Sequence, residues 1–352
     1  MASRTTLKAV AAAAGVSVAT ASYAFSRPDR LSADARSKVL AAARELGYAG
    51  PDAAARTLRT GHAGAVGVIL TVDLAYAFSD PYVVELLGGI AESLTHDGAS
   101  MVLIPSGAHG AWRGAGSRDS VDAVNRAVID GAIADGLPED HPAVRVLDSR
   151  GLPLVRSRAN SAGPWVAIDD HGAGRSVGAH LAEHGHRDVA VVVASPAPPG
   201  RPVGDDASLY PYSRDRLLGI REGLGASARV QVYSGGRNDT TSGRAAAEAI
   251  LAGPRRPTAI AADSDALALA VLDTVRESGR TVGRDLTVTG FDDIATAAAA
   301  GLTTVRQPIR TKGRLMGRIA LGHVGTQNQV LLPTELVVRS SSGPAPHRQE
   351  GQ

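Results

Sequence analysis

The run Leu7-Lys8-Ala9-Val10-Ala11-Ala12-Ala13-Ala14-Gly15-Val16-Ser17-Val18-Ala19-Thr20-Ala21-Ser22 constrains this chain more than any other stretch. It reads as a short helix, a turn made possible by one glycine, and a second helix that opens on hydroxyls, which is the helix-turn-helix pattern. Small hydrogen-bonding side chains at such a helix start suit contact with DNA phosphates. Apolar residues recur at helical spacing: Leu7, Val10, Ala11 and Ala14, then Val18, Ala21 and Phe25, then Val39, Leu40, Ala43 and Leu46. Three amphipathic helices around one small core are predicted, the third capped by Ser32 and stopped by Gly47. Residues 1–60 carry nine Lys or Arg against four Asp or Glu, while the whole chain is only +2. That asymmetry fits a polyanion partner, and it equally fits a small domain with a solvated basic face.

Next comes Ala49-Gly50-Pro51-Asp52-Ala53-Ala54-Ala55-Arg56-Thr57-Leu58-Arg59-Thr60-Gly61. Asp52 can cap a helix, the alanines favour one, and Gly61 ends it. About eight residues are too few for a stable isolated helix in water, so this segment is predicted to be marginal until something docks it.

At 352 residues the chain exceeds one typical domain, and 44% apolar content supplies a real core. It has no cysteine, which excludes disulfide and thiolate chemistry. No apolar leader and no long apolar run is present, so neither a signal peptide nor a membrane span is expected, and a cytoplasmic location follows. The sequon at Asn238-Asp239-Thr240 is then without meaning.

From residue 64 onward short apolar runs alternate with helical patterns. Strands are predicted near residues 65–71, 100–104, 131–134, 154–155, 165–168, 189–193, 230–233, 259–262 and 287–289. Alternation of this kind implies parallel sheets with helices on both faces. The number of strands favours two similar lobes with a ligand crevice at the carboxyl ends of the strands. The Pro/Gly-rich stretch 195–212 is longer than its connection needs and is expected to be a lid or, more simply, a disordered surface loop. The tail 342–352 is polar and Pro-bearing, and disorder is expected there too.

Three motifs imitate other chemistry. His180-Leu181-Ala182-Glu183-His184 has the H-x-x-E-H spacing of inverted zinc peptidases, which keeps a zinc-dependent hydrolase as an alternative. Gly172-Ala173-Gly174-Arg175-Ser176-Val177-Gly178 is one residue too long for a dinucleotide fingerprint, and its glycines more simply start a helix tightly. The acid pairs Asp263/Asp265 and Asp292/Asp293 can hold a hard cation, but carboxylates facing a sugar need none. No cofactor is expected.

The segments TLKAVAAAAGVSVATASYAFS, VLAAARELGY and AAARTLRTG resemble the headpiece and hinge of the lactose/galactose repressor (LacI–GalR) family, and the similarity runs on to Arg339-Ser340-Ser341. The resemblance implies an all-α helix-turn-helix headpiece at 1–49, a hinge at 50–62 and a two-lobed α/β core with parallel sheets at 63–341. That core resembles periplasmic binding proteins and binds an effector. Its lobes are placed at about 63–164 with 294–325, and 165–293 with 326–341, the chain crossing near 164, 294 and 326.

In the family, positions matching Ser17, Thr20 and Ser22 hold phosphates, and those matching Val18, Ala19 and Tyr23 face base edges. Thr6, Leu7, Ser26, Ala55, Leu58 and Arg59 complete the implied DNA surface. An Arg is usual where this chain has Tyr23, and Tyr cannot make the bidentate contact to guanine. Asp52 replaces a usual Asn. Leu58 matches a leucine that wedges into the minor groove. Effector contacts are implied at Phe78, Asp80, Tyr82, Asp169, Arg216, Ser264, Asp265, Asp292 and Gln307. An Arg and an Asp facing one small molecule suit vicinal hydroxyls, which favours a carbohydrate effector over an apolar one. A nucleobase-type corepressor is the alternative within the family. Arg216 and Asp292 are expected to pair with each other in part when no ligand is bound. With no leucine heptads at the C-terminus, a homodimer binding a pseudo-palindromic operator as a repressor is implied.

Overall fold

The computed structural model describes residues 5–50, 61–105, 118–323 and 327–346. They form two compact units that divide between Ala63 and Gly64. The hinge positions Asp52, Ala55, Leu58 and Arg59 lie outside the described residues.

Among its described residues the first unit has three α-helices, α1 (Leu7–Ala13), α2 (Val18–Ser26) and α3 (Ala33–Glu45), with a 3-10 turn at Pro28–Arg30. Each begins on a hydroxyl that accepts a backbone N–H two or three residues into the helix: Thr6 from Ala9, Ser17 from Thr20, Ser32 from Ala35. Such caps satisfy amides that a helix start otherwise leaves open. Gly15, with φ +66°, turns the chain between α1 and α2. The core is built from small residues, Val10, Ala11, Ala21, Ala24, Val39, Ala42 and Ala43, with Leu7, Phe25 and Tyr48 packed around it.

The second unit follows as β1 (Ala65–Leu70), α4 (Leu74–Ala77), α5 (Pro81–His96), β2 (Ser100–Pro105), α6 (Arg118–Arg126), β3 (Gly131–Ala134), α7 (Pro142–Ser149), β4 (Leu154–Arg156) and β5 (Trp165–Ile168). Then come α8 (Asp170–Glu183), β6 (Asp188–Ala194), α9 (Pro211–Leu224), β7 (Arg229–Gly236), α10 (Thr240–Ala252), β8 (Ala259–Ala262), α11 (Asp265–Glu277) and β9 (Thr287–Thr289). It ends with α12 (Ala295–Ala300), β10 (Thr304–Arg306), α13 (Ile309–Ala320), β11 (Gln329–Leu332) and β12 (Glu335–Val337).

Two parallel sheets result, in the orders β11-β5-β4-β3-β1-β2 and β7-β6-β8-β9, with β10 and β12 as a separate antiparallel pair. The central strands β1 and β3 are buried at every position, as strands covered by helices on both faces must be. Among the described residues no helix is long and apolar enough to cross a membrane.

Glycines set how closely two helix pairs approach. A Cβ on Gly174 or Gly178 of α8 would collide with the carbonyl oxygens of Arg216 and Ile220 on α9. A Cβ on Gly89 of α5 would likewise strike the carbonyl of Arg310 on α13. Two of the glycines that imitate a dinucleotide fingerprint, Gly174 and Gly178, therefore serve helix contact, and Gly172 makes room for the capping carboxylate of Asp169.

Three placements differ from the sequence-based expectation. The chain leaves the first sheet after Ile168 rather than near 164, because Trp165 pairs with Arg156 and with Gln329 at the sheet edge. It returns around β10 rather than near 294, and crosses again after Leu332 rather than near 326, since β11 completes the first sheet. Residues 195–212 are ordered. Arg201–Val203 lie antiparallel to β7, with Val203 N donating to Val232 O and Ser234 N to Arg201 O, so the stretch covers that strand's open edge. The segment from Ser342 to Ala345 is also held. Ala345 N donates to His184 O, Gly343 O accepts from Thr287 Oγ1 and Ser342 Oγ bonds Thr303 Oγ1. Residues 347–352 lie outside the described residues.

Candidate functional site: a nucleic-acid face and a ligand cavity

On the headpiece, burial of Ala21 and Ala24 turns the opposite face of α2 outward. Val18 and Tyr23 are exposed there, large apolar groups that the small core does not claim, with Ala19 and Ser26 beside them. Ser17 and Thr20 hydroxyls lie 2.8 Å apart at the start of α2, where the helix dipole favours an anion. Ser26 Oγ donates to Ser22 O. Thr6 caps α1, while Leu7 packs on the core.

In the second unit a cavity of about 170 Å³ opens between the two sheets. It is built at strand ends and helix starts: Asp135 after β3, Arg156 on β4, Asp170 opening α8, Arg216 on α9, Ser264 before α11 and Asp292 after β9. Arg216 is its charged centre. Its Nε donates to Asp170 Oδ1 at 2.8 Å and one terminal nitrogen to Asp263 O at 2.6 Å. The guanidinium lies 3.5 Å from the Phe291 ring centroid and 5.1 Å from that of Tyr212. Burial opposes the charge, but Asp170, Asp292 and Asp263 outweigh it and hold the pKa above the ordinary arginine value.

Asp292 sits at φ 122°, a backbone conformation that costs energy outside glycine. It persists because its own amide and the next residue are fixed: Asp292 N donates to Val305 O, and Asp293 pairs with Arg306 and Arg339. Gln307 Nε2 donates to Asp292 Oδ1 at 2.6 Å. Burial pushes the Asp292 carboxyl well up, with Asp265 and Asp80 adding to it and Arg216 working against it. On the first-sheet wall Lys312 Nζ reaches Tyr82 Oη at 2.8 Å and Asp135 Oδ1 at 3.2 Å, and Tyr82 Oη also reaches Asp135. Asp80 caps α5 and accepts from Tyr76 Oη at 3.0 Å; burial raises its pKa.

Of the nine predicted effector positions, Asp80, Tyr82, Arg216, Ser264 and Asp292 line the cavity. The other four do not. Phe78 is 62% exposed at the end of α4. Asp169 caps α8 through Gly172 N, and its neighbour Asp170 takes the cavity position. Asp265 is buried behind the wall, accepting from Thr304 Oγ1 and Ile294 N, and burial pushes its pKa up to about 7. Gln307 supports Asp292 from behind. Arg216 pairs with Asp170 in place of the expected Asp292. Tyr76, Asp135, Arg156, Ser161, Tyr212 and Lys312 line the cavity and were not predicted. Tyr212, two residues after Tyr210 and stacked on it, was signalled by the aromatic pair that opens α9.

The H-x-x-E-H histidines have other partners. His180 bonds Ser342 Oγ and the His184 ring bonds His180 O, while His186 lies between Thr258 Oγ1 and Gly343 O. Among the described residues no three His, Asp or Glu converge as metal ligands.

Residues 6–50 match the lacI family of bacterial regulatory proteins, and residues 179–342 match the periplasmic binding protein-like domain. An HTH-type transcriptional regulator of Mycolicibacterium smegmatis is 37% identical over 360 residues, covering 97% of this chain and 97% of the relative. Among solved structures, a complex of the regulator CelR with cellobiose matches at TM-score 0.65 and 28% identity, over 96% of this chain and 100% of that one. The lac repressor dimer bound to operator and the anti-inducer ONPF matches at TM-score 0.77 and 25% identity, over 97% and 100%. Fold and site together define a DNA-binding transcriptional regulator with a sensor of the periplasmic-binding-protein type. The chain belongs to the lacI family of bacterial regulatory proteins.

Proposed function

We propose that this regulator is a homodimeric repressor that binds a pseudo-palindromic operator and is switched by a carbohydrate or carbohydrate derivative in the cavity of its second unit. Ser17, Thr20 and Ser22 hold phosphates, and Val18, Ala19 and Tyr23 meet base edges in the major groove. Thr6, Leu7 and Ser26 flank them. Ala55, Leu58 and Arg59 enter the minor groove from the hinge, Leu58 as the wedge.

The observation that carries the ligand half is the surround of Arg216: a fixed guanidinium with carboxylates beside it and aromatic rings against it. Carboxylate and guanidinium each make paired charge-assisted bonds to neighbouring hydroxyls, and the rings receive the C–H face of a sugar. The likeness to a regulator solved with cellobiose points the same way. Ligand contacts from both sheets draw the lobes together, and that movement reaches the DNA-binding surface through the hinge. The coupling is reciprocal, so operator alters sugar affinity by the factor by which sugar alters operator affinity.

The test is selection of bound fragments from a random DNA pool, followed by titration of the selected duplex with a panel of mono- and disaccharides. A palindromic site whose occupancy changes with one sugar is the result expected. A protein that selects no site, or a site indifferent to every sugar while calorimetry shows none bound, overturns the proposal. Tyr23→Arg is expected to move the preferred half-site base towards guanine.

A further inference from the structure

Arg156 ends β4, in register with Ala134 on one side and Trp165 on the other. It lines the cavity and is only 9% exposed. One terminal nitrogen donates to Ala162 O at 2.7 Å, and among the described residues no carboxylate stands at ion-pair distance. The other cations of the lining are all neutralised: Arg216 by Asp170, Lys312 by Asp135, Arg158 by Asp215 and Arg237 by Asp73. Asp80 and Asp292 are held by Tyr76 and Gln307.

Ser161, the residue before Ala162, is 5% exposed and also lines the cavity. Its Oγ is buried and, among the described residues, has no hydrogen-bond partner. The end of β4 therefore holds a buried cation without a counter-charge, bonded to the residue that follows a buried hydroxyl without a bond. Each is costly alone, and a fold that keeps both beside an open cavity is completed by something that enters it. A neutral hydroxyl satisfies Ser161 but leaves the guanidinium uncompensated. A carboxylate or phosphoryl oxygen satisfies both, taking a charge-assisted bond from Arg156 and an O–H bond from Ser161.

We propose that Arg156 and Ser161 form an anion subsite, so that the effector carries a carboxylate or phosphoryl group at one end and hydroxyls towards Arg216 and Asp292 at the other. This deepens the carbohydrate reading of the same cavity and rests on it.

The experiment titrates the full-length protein with sodium phosphate and, separately, sodium acetate, at ionic strength held constant with sodium chloride. Binding is followed by calorimetry and by tryptophan fluorescence, since Trp165 neighbours Arg156 across the sheet. Saturable binding of at least one anion is expected, weakened about tenfold by Arg156→Gln and about threefold by Ser161→Ala. A response to phosphate alone identifies a phosphoryl ligand, and to acetate alone a carboxylate. Ser161→Ala removes a hydroxyl that bonds nothing, so it keeps the test open if Arg156→Gln fails to fold. Wild-type protein that binds neither anion saturably, or binding unchanged in the folded variants, overturns the subsite.

A second arm titrates neutral mono- and disaccharides into wild type and Arg216→Lys. Sugars that bind through Arg216 beside anions that do not bind remove the subsite and leave the carbohydrate reading standing. Anions that bind through Arg156 beside sugars that never bind remove the carbohydrate reading instead.

Discussion

The two units solve opposite problems with opposite residues. The headpiece buries small side chains, mostly alanines, and keeps its chemistry outside, on hydroxyls that also cap its helices. The sensor buries Val, Ile and Leu in extended clusters and keeps its chemistry inside, as charges that need partners from several strands. A surface that must meet a polyanion tolerates exposed polar groups at little cost. A cavity that must enclose a small polar molecule has to hold charges out of water, and each has to be matched.

The contrast breaks most visibly at Arg216. Arg216→Ala leaves half-buried Asp170 and buried Asp292 beside no cation and is expected to destabilise the sensor by about 3 kcal/mol. Sugar response is lost with it, while the headpiece keeps its operator affinity; differential scanning calorimetry and a mobility-shift titration read the two separately. Val10→Ala reverses the pattern. It deletes one of the few larger side chains of the headpiece core, costs about 2 kcal/mol and abolishes operator binding, with sugar affinity unchanged by calorimetry.

Ser17→Ala, which removes a cap and a phosphate ligand together, is expected to cost about 1 kcal/mol of headpiece stability and more than that in operator affinity. An operator affinity lowered no more than the stability would leave Ser17 a cap only. A last effect is in pH. The Asp265 carboxyl is raised by burial to about 7, so it takes up its proton more readily in the folded than in the unfolded state. The stability it contributes is fully present in acid and is lost as pH rises through 7. Between pH 5 and pH 8 the wild-type sensor should therefore lose thermal stability relative to Asp265→Asn; parallel pH profiles would show that Asp265 does not titrate there.

Legibility followed the same divide. Helix starts at Ser17 and Ser32 and the stop at Gly47 are local events, decided by residues within one turn, and a sequence displays them. Strands β1 to β9 were visible as apolar runs. The short strands β10, β11 and β12 were not, because three or four residues show no period of their own and owe their form to partners far along the chain. Within the site, Arg216 and Asp292 were found through family likeness. Asp169 was chosen over Asp170 because two adjacent aspartates differ only in which one caps α8. Lys312 and Arg156 carried no local sign at all. A cation inside an amphipathic or apolar run looks solvent-facing until the opposing wall, with Asp135 or a bare Ser161, is in place.

Pro202 stands opposite Tyr233 in the added segment that flanks β7. Its neighbours Arg201 and Val203 spend their main-chain groups inward, and the outward position falls to a residue with no amide hydrogen. A further chain cannot zip onto that margin by continuing the ladder. Edge-to-edge pairing at this margin of the second sheet is thereby disfavoured.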